Sequence, residues 1–276
     1  MGNVSGYGGM PAPKKAYGQN FIVNRGICPK MVDASGIDGT FGVVEIGPGL
    51  GALTTELART AKKVVAVEID GDLIPQLKQN LEGLDNIEII HGDVIKLDLR
   101  EIIEKSFETE KVAVFGNLPY YITSPIIMKL LEDRLPIDMV VAMVQREAAE
   151  RLCAQPGSRA SGAVTLAVKY YSDPAILFDV SPGSFYPVPK VSSSVIKLDV
   201  LKQPGARPLD EKHMFKVIKA AFSQRRKTAA NSVSAGLRID KGLVIKALEG
   251  IGADPNVRPE RLDIAQFAAL SDAINK

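Results

Sequence analysis

Cysteine and histidine are scarce in this chain, with two residues of each among 276. Cys28 and Cys153 lie far apart and form no CxxC pair, which favours free thiols in a reducing compartment over a disulfide framework. The two histidines, His91 and His213, have no cysteine pair that would complete a tetrahedral ligand set. The sequence therefore predicts no metal site.

Long hydrophobic runs are also missing. No apolar stretch approaches the roughly 20 residues that span a bilayer. The first residues lack the basic-then-apolar pattern of a secretory signal. We therefore expect a cytoplasmic protein without a membrane partner. The sequence carries no oligomerisation signal, so we expect a monomer.

A strong excess of one charge is absent as well. The formal net charge is +2 and the sequence pI is about 8.4, so composition alone does not indicate a nucleic-acid-binding protein. Any basic surface must be local. Hydrophobic residues make up 46% and charged residues 24%, which is typical of a globular protein with a sizeable core.

The order of predicted elements indicates the fold class. Residues 1–13 are rich in glycine and proline and are predicted to be a disordered lead-in. After them, short β-branched apolar runs alternate with helical patterns, which predicts an α/β fold with a mostly parallel, doubly wound, Rossmann-like sheet. Apolar runs of this kind suit strands buried on both faces. The predicted strands are 41–47, 63–70, 87–93, 111–117, 139–145 and 175–180.

Two helices between these strands have clear signals. Leu53, Leu57 and Ala61 recur at helical spacing and predict one buried helix face. Ser124 and Pro125 are suited to the N-cap and first turn of another helix.

The composition changes near the end of the chain. Residues 191–200 alternate apolar and polar side chains, which predicts a half-exposed or antiparallel edge strand. Residues 202–208 have the composition of a linker, and only helical patterns follow. We therefore predict a catalytic domain at 14–203 and a small helical domain at 209–276.

Three successive predicted strands end in residues suited to binding a nucleoside. The first runs into the glycine-rich segment EIGPGLG (45–51), the second ends near Glu68, and the third ends at Asp93. Carboxyl ends of parallel strands meet at one edge of a sheet. There Glu68 can accept hydrogen bonds from ribose hydroxyls, and Asp93 from an adenine amine. The GxGxG spacing is tighter than the GxGxxG loop that binds a diphosphate, which favours a phosphate-free cofactor such as S-adenosylmethionine (SAM).

Each of these features also has a simpler interpretation. A glycine-rich turn is often only a tight connection, Glu68 alone would be a surface acid at a strand end, and Asp93 alone would be a turn residue. Their occurrence at three successive strand ends favours the cofactor interpretation.

The fourth predicted strand ends in Asn117, Leu118, Pro119 and Tyr120. An exocyclic adenine amine is a poor nucleophile because its lone pair is delocalised into the ring. The Asn117 side-chain oxygen and the Leu118 carbonyl can accept hydrogen bonds from such an amine, Pro119 fixes the backbone, and Tyr120 can stack on a flipped base. The alternative is a turn that merely ends a strand, which is common for Asn-x-Pro.

Seven segments together resemble the ribosomal RNA adenine dimethyltransferases, specifically the bacterial KsgA (RsmA) type. The resemblance runs from about Tyr17 to the C-terminus. It implies a class I SAM-dependent methyltransferase fold with a small C-terminal helical domain. It also implies dimethylation of the N6 amines of two adjacent adenines in the 3′-terminal hairpin loop of small-subunit (16S) rRNA, with a role in small-subunit biogenesis. The segments are YGQNF (17–21), VEIGPGLGALT (44–54), VEID (67–70), GD (92–93), FGNLPYYITSPII (115–127), FYPVPKV (185–191) and AFSQRRKT (221–228).

The resemblance implies roles for residues on the cofactor side. Asn20 and Ile22 would contact SAM from a segment that precedes the sheet. Gly47 would contact the methionine part, Glu68 the ribose and Asp93 the adenine.

On the target side, the resemblance places Asn117 beside both the transferred methyl group and the target amine. It makes Phe185 a second stacking wall for the base. The candidate catalytic residues are therefore Asn117, Leu118, Pro119, Tyr120 and Phe185. For Phe185 the alternative is core packing beside a proline-rich turn.

The most concentrated run of basic residues is Arg225, Arg226 and Lys227. We predict that this run lies on a helix and contacts RNA phosphates. The alternative for this run is solubility or pairing with nearby acids. The expected partner is the small ribosomal subunit.

Two other functions stay open on sequence grounds. One is the antibiotic-resistance methyltransferase that modifies large-subunit rRNA, which usually carries Ile where this chain has Leu118. The other is a mainly non-catalytic ribosome assembly factor. The chain also departs from the family pattern at Asn24, Ser161 and Ser192, which affects local loop packing and some RNA contacts.

Overall fold

The computed structural model describes residues 10–108, 111–224 and 226–275. Contacts divide the chain into two units: Met1–Ala149 with Ala175–Val200, and Glu150–Pro174 with Leu201–Lys276. The second unit thus includes 150–174, which the sequence analysis placed in the catalytic domain. Most of the predicted lead-in, residues 1–9, lies outside the described residues.

A seven-stranded sheet forms the centre of the first unit, in the order β4-β3-β2-β5-β6-β9-β7. The pairs among β4, β3, β2, β5 and β6 are parallel, and β9 is antiparallel to β6. This order confirms the predicted α/β, mostly parallel Rossmann-like sheet. The strands are β1 Phe21–Ile22, β2 Phe41–Ile46, β3 Lys63–Glu68, β4 Ile87–His91, β5 Lys111–Asn117, β6 Met139–Gln145, β7 Ser172–Val180, β8 Phe185–Tyr186 and β9 Ser193–Val200.

Burial in the sheet follows strand position. All residues of β2 are buried, as are nearly all those of β3, β5 and β6, which suits central parallel strands covered on both faces. The prediction of full burial was wrong for 87–93 and 175–180, because β4 and β7 are edge strands and are largely exposed or half-buried. The antiparallel direction predicted for 191–200 is confirmed, but β9 is not an edge strand because β7 lies outside it.

The early helices alternate with these strands. Leu53, Leu57 and Ala61 are all buried, as their spacing predicts. Ala61 is the C-cap residue and lies one position beyond the end of the helix. The prediction of Ser124 as an N-cap was wrong by two residues, because Ile122 is the N-cap, whereas Pro125 lies in the first turn of the helix, as predicted. The helices are α1 Ile27–Ser35, α2 Ala52–Thr60, α3 Ile74–Asn80, α4 Leu99–Ser106, α5 Thr123–Glu132 and α6 Arg146–Leu152.

The second unit is helical, as predicted for the C-terminal part. Its first helix joins the C-terminal helices through polar contacts: the hydroxyls of Tyr170 and Tyr171 both donate to the Glu211 carboxylate, each at 2.9 Å. The Gly205 amide also donates to the Tyr170 carbonyl at 2.8 Å. These contacts explain why residues 150–174 group with the C-terminal segment. The helices are α7 Ala163–Tyr171, α8 Glu211–Ala221, α9 Ala229–Leu237, α10 Lys241–Gly250 and α11 Ile264–Ile274.

Both cysteines are free thiols, as predicted. Burial raises the pKa of Cys28 to about 12 and that of Cys153 to about 11, so both stay protonated and unreactive near neutral pH. Within the described residues, no cluster of three or more His, Cys, Asp or Glu side chains is arranged to hold a metal ion. No helix in this part of the chain is long and apolar enough to cross a bilayer.

Candidate active site

A cleft opens where three parallel strands of the first unit end together. The register sets Ile46 beside Val67 on one side and beside Gly116 on the other, so β2, β3 and β5 finish at one edge. Four predicted site residues come together there: Asn20, Ile22, Gly47 and Asn117. The cleft is lined by Asn20, Phe21, Ile22, Glu45, Gly47, Pro48, Gly49, Leu50, Ala52, Leu53 and Asn117.

The glycine loop gets its shape from left-handed backbone conformations. Gly47, Gly49 and Gly51 have φ of 70°, 58° and 88°, values that side chains with a Cβ rarely adopt. The Gly47 amide donates to the Val67 carbonyl at 2.9 Å, which fastens the loop to the end of β3. The GxGxG pattern is therefore a requirement of this turn.

Glu68 lies directly behind the glycine loop and is buried. One carboxylate oxygen accepts from the Gly49 amide at 3.0 Å and the other from the Asp70 amide at 2.8 Å. Burial raises the pKa of Glu68, and these hydrogen bonds offset part of the rise. Its carboxylate is therefore fixed by the main chain on both sides, beside the cleft.

Glu45 is a site residue that the sequence analysis did not single out. It is 1% exposed and lines the cleft. Its Oε2 atom has no hydrogen-bond partner among the described residues. Burial, opposed by the Thr54 hydroxyl and assisted by the charge of Glu68, raises the pKa of Glu45 to about 8. A carboxyl group within an otherwise apolar strand, directly before a glycine loop, was the signal that could have revealed it.

Asp93 is placed at the neighbouring strand end but turns its side chain into its own loop. Its Oδ1 atom accepts from the Ile95 amide at 3.0 Å, and Oδ2 lies 3.7 Å from the Lys96 ammonium. The side chain does not line the cleft. The turn interpretation therefore accounts for the position of Asp93 as the structure has it.

A segment before the sheet closes one side of the cleft; we call residues 14–22 the N-terminal strap. Its last residues form β1, which pairs with β8 so that Ile22 lies opposite Phe185. The Asn117 side-chain Nδ2 donates to the Asn20 carbonyl at 2.8 Å. A carbonyl only accepts hydrogen bonds, so the amide nitrogen of Asn117 must face the strap and Oδ1 must face away from it.

The residues after Asn117 form a braced turn. The Leu118 amide donates to the Met143 carbonyl at 3.0 Å, which holds the turn on β6. The Pro119 carbonyl accepts from the Ile122 amide at 3.2 Å and from the Thr123 hydroxyl at 3.1 Å. The motif is thus rigid on the side that leads into α5.

Tyr120 and Phe185 differ in accessibility. Tyr120 is half-buried, and its hydroxyl lies 2.8 Å from that of Ser193. Burial raises the pKa of Tyr120, so the phenol stays neutral. Phe185 is 1% exposed and belongs to the hydrophobic core. This burial agrees with the core-packing alternative for Phe185, and its role as a second stacking wall stays a prediction.

The basic run lies in the second unit. Arg226 and Lys227 are exposed, and they occupy the turn between α8 and α9 rather than a helix as predicted. The Lys227 amide donates to the Gln224 carbonyl at 3.1 Å, which closes the turn. Arg225 lies outside the described residues. We call Arg226 and Lys227 the basic turn.

Comparison with known proteins identifies close relatives. The family model for "Ribosomal RNA adenine dimethylase" matches residues 11–276. A ribosomal RNA small subunit methyltransferase A from Geobacillus thermodenitrificans is 48% identical over 265 residues, covering 95% of this chain and 90% of the relative. The protein of the same name from Alkaliphilus metalliredigens is 44% identical over 261 residues, covering 94% and 91%.

Solved structures agree with the fold. A dimethyladenosine transferase from Plasmodium falciparum aligns with a TM-score of 0.76 and 28% identity, covering 91% of this chain and 95% of that one. The 23S rRNA methyltransferase ErmE aligns with a TM-score of 0.72 and 25% identity, covering 93% and 100%. The architecture is therefore the α/β fold of class I SAM-dependent methyltransferases.

Proposed function

Because this chain belongs to the ribosomal RNA adenine dimethylase family and is a SAM-dependent rRNA adenine dimethyltransferase, we propose that its substrate is the small ribosomal subunit. Within that subunit, the proposed targets are the N6 amines of two adjacent adenines in the 3′-terminal hairpin loop of 16S rRNA. Relatives at 48% and 44% identity carry the small subunit in their names, which supports this choice over the large-subunit alternative. The turn at Asn117 favours an enzyme over a purely non-catalytic assembly factor.

The residues around the cleft fit SAM. The loop that carries Gly47 brings backbone close to a ligand, and the N-terminus of α2 behind it suits a carboxylate. A buried carboxyl group with an unpartnered oxygen, Glu45, suits the ammonium of the methionine part. Bound SAM supplies an electrophilic methyl group on a positively charged sulfur.

The nucleoside part of SAM is assigned to the next strand ends. Glu68 would accept hydrogen bonds from the ribose, and Asp93 from the adenine amine through Oδ2, which lies 3.7 Å from the Lys96 ammonium. Asn20 and Ile22 would cover the ligand from the N-terminal strap, since both line the cleft.

The orientation of the Asn117 amide is the observation that carries the catalytic proposal. With Nδ2 held by the Asn20 carbonyl, Oδ1 is available to accept a hydrogen bond from the target amine. The Leu118 carbonyl would accept the second amine hydrogen. These two acceptors would favour a pyramidal nitrogen whose lone pair is available to take up the methyl group that bound SAM would supply. The methylated nitrogen then loses its proton to solvent, so no strong base is required.

The target base would be held by the residues next in the chain. Pro119 fixes the turn, and the half-buried Tyr120 ring would stack on the flipped adenine. Phe185 would serve as a second wall only after its ring leaves the core.

The basic turn is assigned to RNA binding. Arg226 and Lys227 are exposed, and neither forms an ion pair with the described residues. Together with Arg225 they would contact phosphates of the subunit rRNA. We further propose that the enzyme acts as a monomer in the cytoplasm, where ribosomal subunits are found, without a membrane partner.

The substrate assignment is tested with purified unmethylated small and large ribosomal subunits and labelled SAM. We expect label in the small subunit only, as dimethyladenine at adjacent positions in the 3′-terminal hairpin. Label in the large subunit alone would replace the proposed function with the antibiotic-resistance type. Tight subunit binding without label would favour the assembly-factor function.

A further inference from the structure

A buried carboxylate, that of Asp70, ties the N-terminal strap to the end of β3. Asp70, two residues beyond the end of β3, is 2% exposed. Its Oδ1 atom lies 2.6 Å from the Lys14 ammonium, and its Oδ2 atom accepts from the Gln19 side chain at 2.8 Å. Both oxygens of Asp70 therefore bind the strap.

Gln19 connects this anchor to the rest of the strap. Its Oε1 atom accepts from the Lys14 amide at 2.8 Å while its Nε2 atom donates to Asp70. Both ends of the Gln19 amide are thus committed, which fixes the direction in which the chain leaves this residue. The following residue is Asn20, whose carbonyl accepts from Asn117 Nδ2 at 2.8 Å.

The charge of Asp70 is retained despite its burial. Burial raises the pKa of Asp70, but hydrogen bonds from Lys14 and Gln19 outweigh this effect, and the pKa is lowered overall. A buried carboxylate that lost these partners would be left with an uncompensated charge. The strap and the carboxylate therefore stabilise each other.

These contacts form a continuous path from the end of β3 to the amide of Asn117. We propose that Asp70 is a positioning residue for methyl transfer: through Gln19 it holds the Asn20 carbonyl where that carbonyl orients Asn117 Oδ1 toward the target amine. This inference rests on the catalytic role proposed for Asn117. Asp70 itself does not line the cleft.

Asp70→Asn tests the anchor with almost no change in size. An amide in place of the carboxylate presents an NH₂ group either to the Gln19 NH₂ or to the Lys14 ammonium, so one of these contacts must fail. We expect the single-turnover methylation rate, at saturating SAM and saturating subunit, to fall about tenfold. Asp72→Asn is the matched control, because Asp72 contacts the same ammonium at 2.6 Å with a side chain that is 84% exposed; its rate should stay near normal.

A double-mutant cycle separates positioning from general damage. If Asp70 acts through Asn117, Asp70→Asn should lower the rate less than about twofold once Asn117 is already Ala. An equal loss in both backgrounds, or no loss in the parent enzyme, would overturn the inference. A near-normal rate for Asn117→Ala alone would instead overturn the proposed function, so the two failures are distinguishable.

Thermal melting of every variant checks that it is folded. If Asp70→Asn does not fold, Gln19→Met takes its place in the same cycle, because Gln19 is only half-buried and its loss breaks the same path. The same two criteria then apply: a loss of rate that vanishes in the Asn117→Ala background supports the inference, and a loss that persists there contradicts it.

Discussion

On the cofactor side of the site a side chain is held by main-chain groups of the adjoining strand ends, whereas on the target side a side chain is held by a main-chain group of a segment distant in sequence. Glu68 is held by amides at positions 49 and 70, which belong to the glycine loop and to its own strand end. Asn117 is held by the Asn20 carbonyl, 97 residues away in sequence. Main-chain contacts at strand ends form with the sheet, but the strap contact forms only when the first residues of the unit dock. We therefore expect the two sides to respond differently to substitution.

The largest effect is expected on the target side. Asn117→Ala removes the acceptor for the amine and should lower the single-turnover transfer rate by about a hundredfold, on the scale of losing one oriented polar group. Subunit binding should barely change, because phosphate contacts elsewhere dominate it. Dimethyladenine counted by mass spectrometry gives the rate. Near-normal dimethylation would leave Asn117 as a turn residue.

Asn117→Asp is a more specific test of the role of the Asn117 side chain. The substitution keeps an acceptor oxygen for the amine, but it sets a second, negatively charged oxygen against the Asn20 carbonyl, where Nδ2 now donates at 2.8 Å. SAM binding should hold, because the added negative charge would lie beside the cofactor's positively charged sulfur. Turnover should fall, because the same charge would oppose the loss of that positive charge during methyl transfer. Calorimetry with SAM and single-turnover rates on the same preparation separate the two effects. Unchanged turnover would show that the strap contact does not matter.

The next effect is expected on the cofactor side. Glu68→Ala should weaken SAM binding about tenfold or more, since hydrogen bonds to a charged group contribute roughly 1.5–3 kcal/mol each. Calorimetric titration of the variant measures this loss. Glu88→Ala is a matched control on the neighbouring strand, because Glu88 is exposed and forms an ion pair with Lys63 at 2.9 Å at the surface. Unchanged affinity in Glu68→Ala would refute the ribose assignment.

Local patterns explain how far the sequence predicts this molecule. The central strands are continuous apolar runs, and the glycine loop and Asn117 follow them directly, so their meeting at one sheet edge could be inferred. Phe185 was assigned by resemblance, and no local pattern distinguishes a ring in the core from a ring facing a base. The contact of Asn117 with Asn20 depends on tertiary docking, which no spacing in the sequence encodes.

The organisation of the helical unit also depends on tertiary contacts that sequence patterns do not reveal. The grouping of residues 150–174 with the C-terminal segment rests on contacts of Tyr170 and Tyr171 with Glu211, which exist only in the folded state. The basic run was predicted to lie on a helix, but Arg226 and Lys227 lie in a turn. Thr228, whose side chain accepts from the Asn231 amide, begins a new helix there.

The basic turn allows a contrast between the two units. Neutralising residues 225–227 should weaken subunit binding several-fold and reduce the salt slope by about two to three. SAM binding should be unaffected. The slope comes from binding titrations at several salt concentrations. Neutralising Lys212, Lys241 and Lys246, three exposed cations of the same unit, serves as the control. Equal slopes for the two triple variants would mean that the turn is not a specific RNA contact.

The smallest effect concerns Glu45 and is measured on the protein without SAM. In the unfolded chain this carboxyl titrates near its usual value of 4.5, whereas burial raises its pKa to about 8 in the folded state. Below the lower value both states are protonated and Glu45 does not disfavour folding. As pH rises, the unfolded state ionises first, so stability is lost progressively until both states are ionised above the folded pKa.

Glu45→Gln removes this penalty because an amide does not ionise. We expect the variant to melt about 3 °C or more above the parent protein at about pH 9. At that pH the free energy of unfolding of the two proteins should differ by about 1 kcal/mol or more. At about pH 4 the two should melt within roughly one degree of each other, because Glu45 is largely protonated in both the folded and the unfolded state. Calorimetric melting at both pH values gives the comparison. If the difference in melting temperature were the same at both pH values, burial would not raise the pKa of Glu45. The cofactor side of the cleft would then not contain an unpartnered buried carboxyl group.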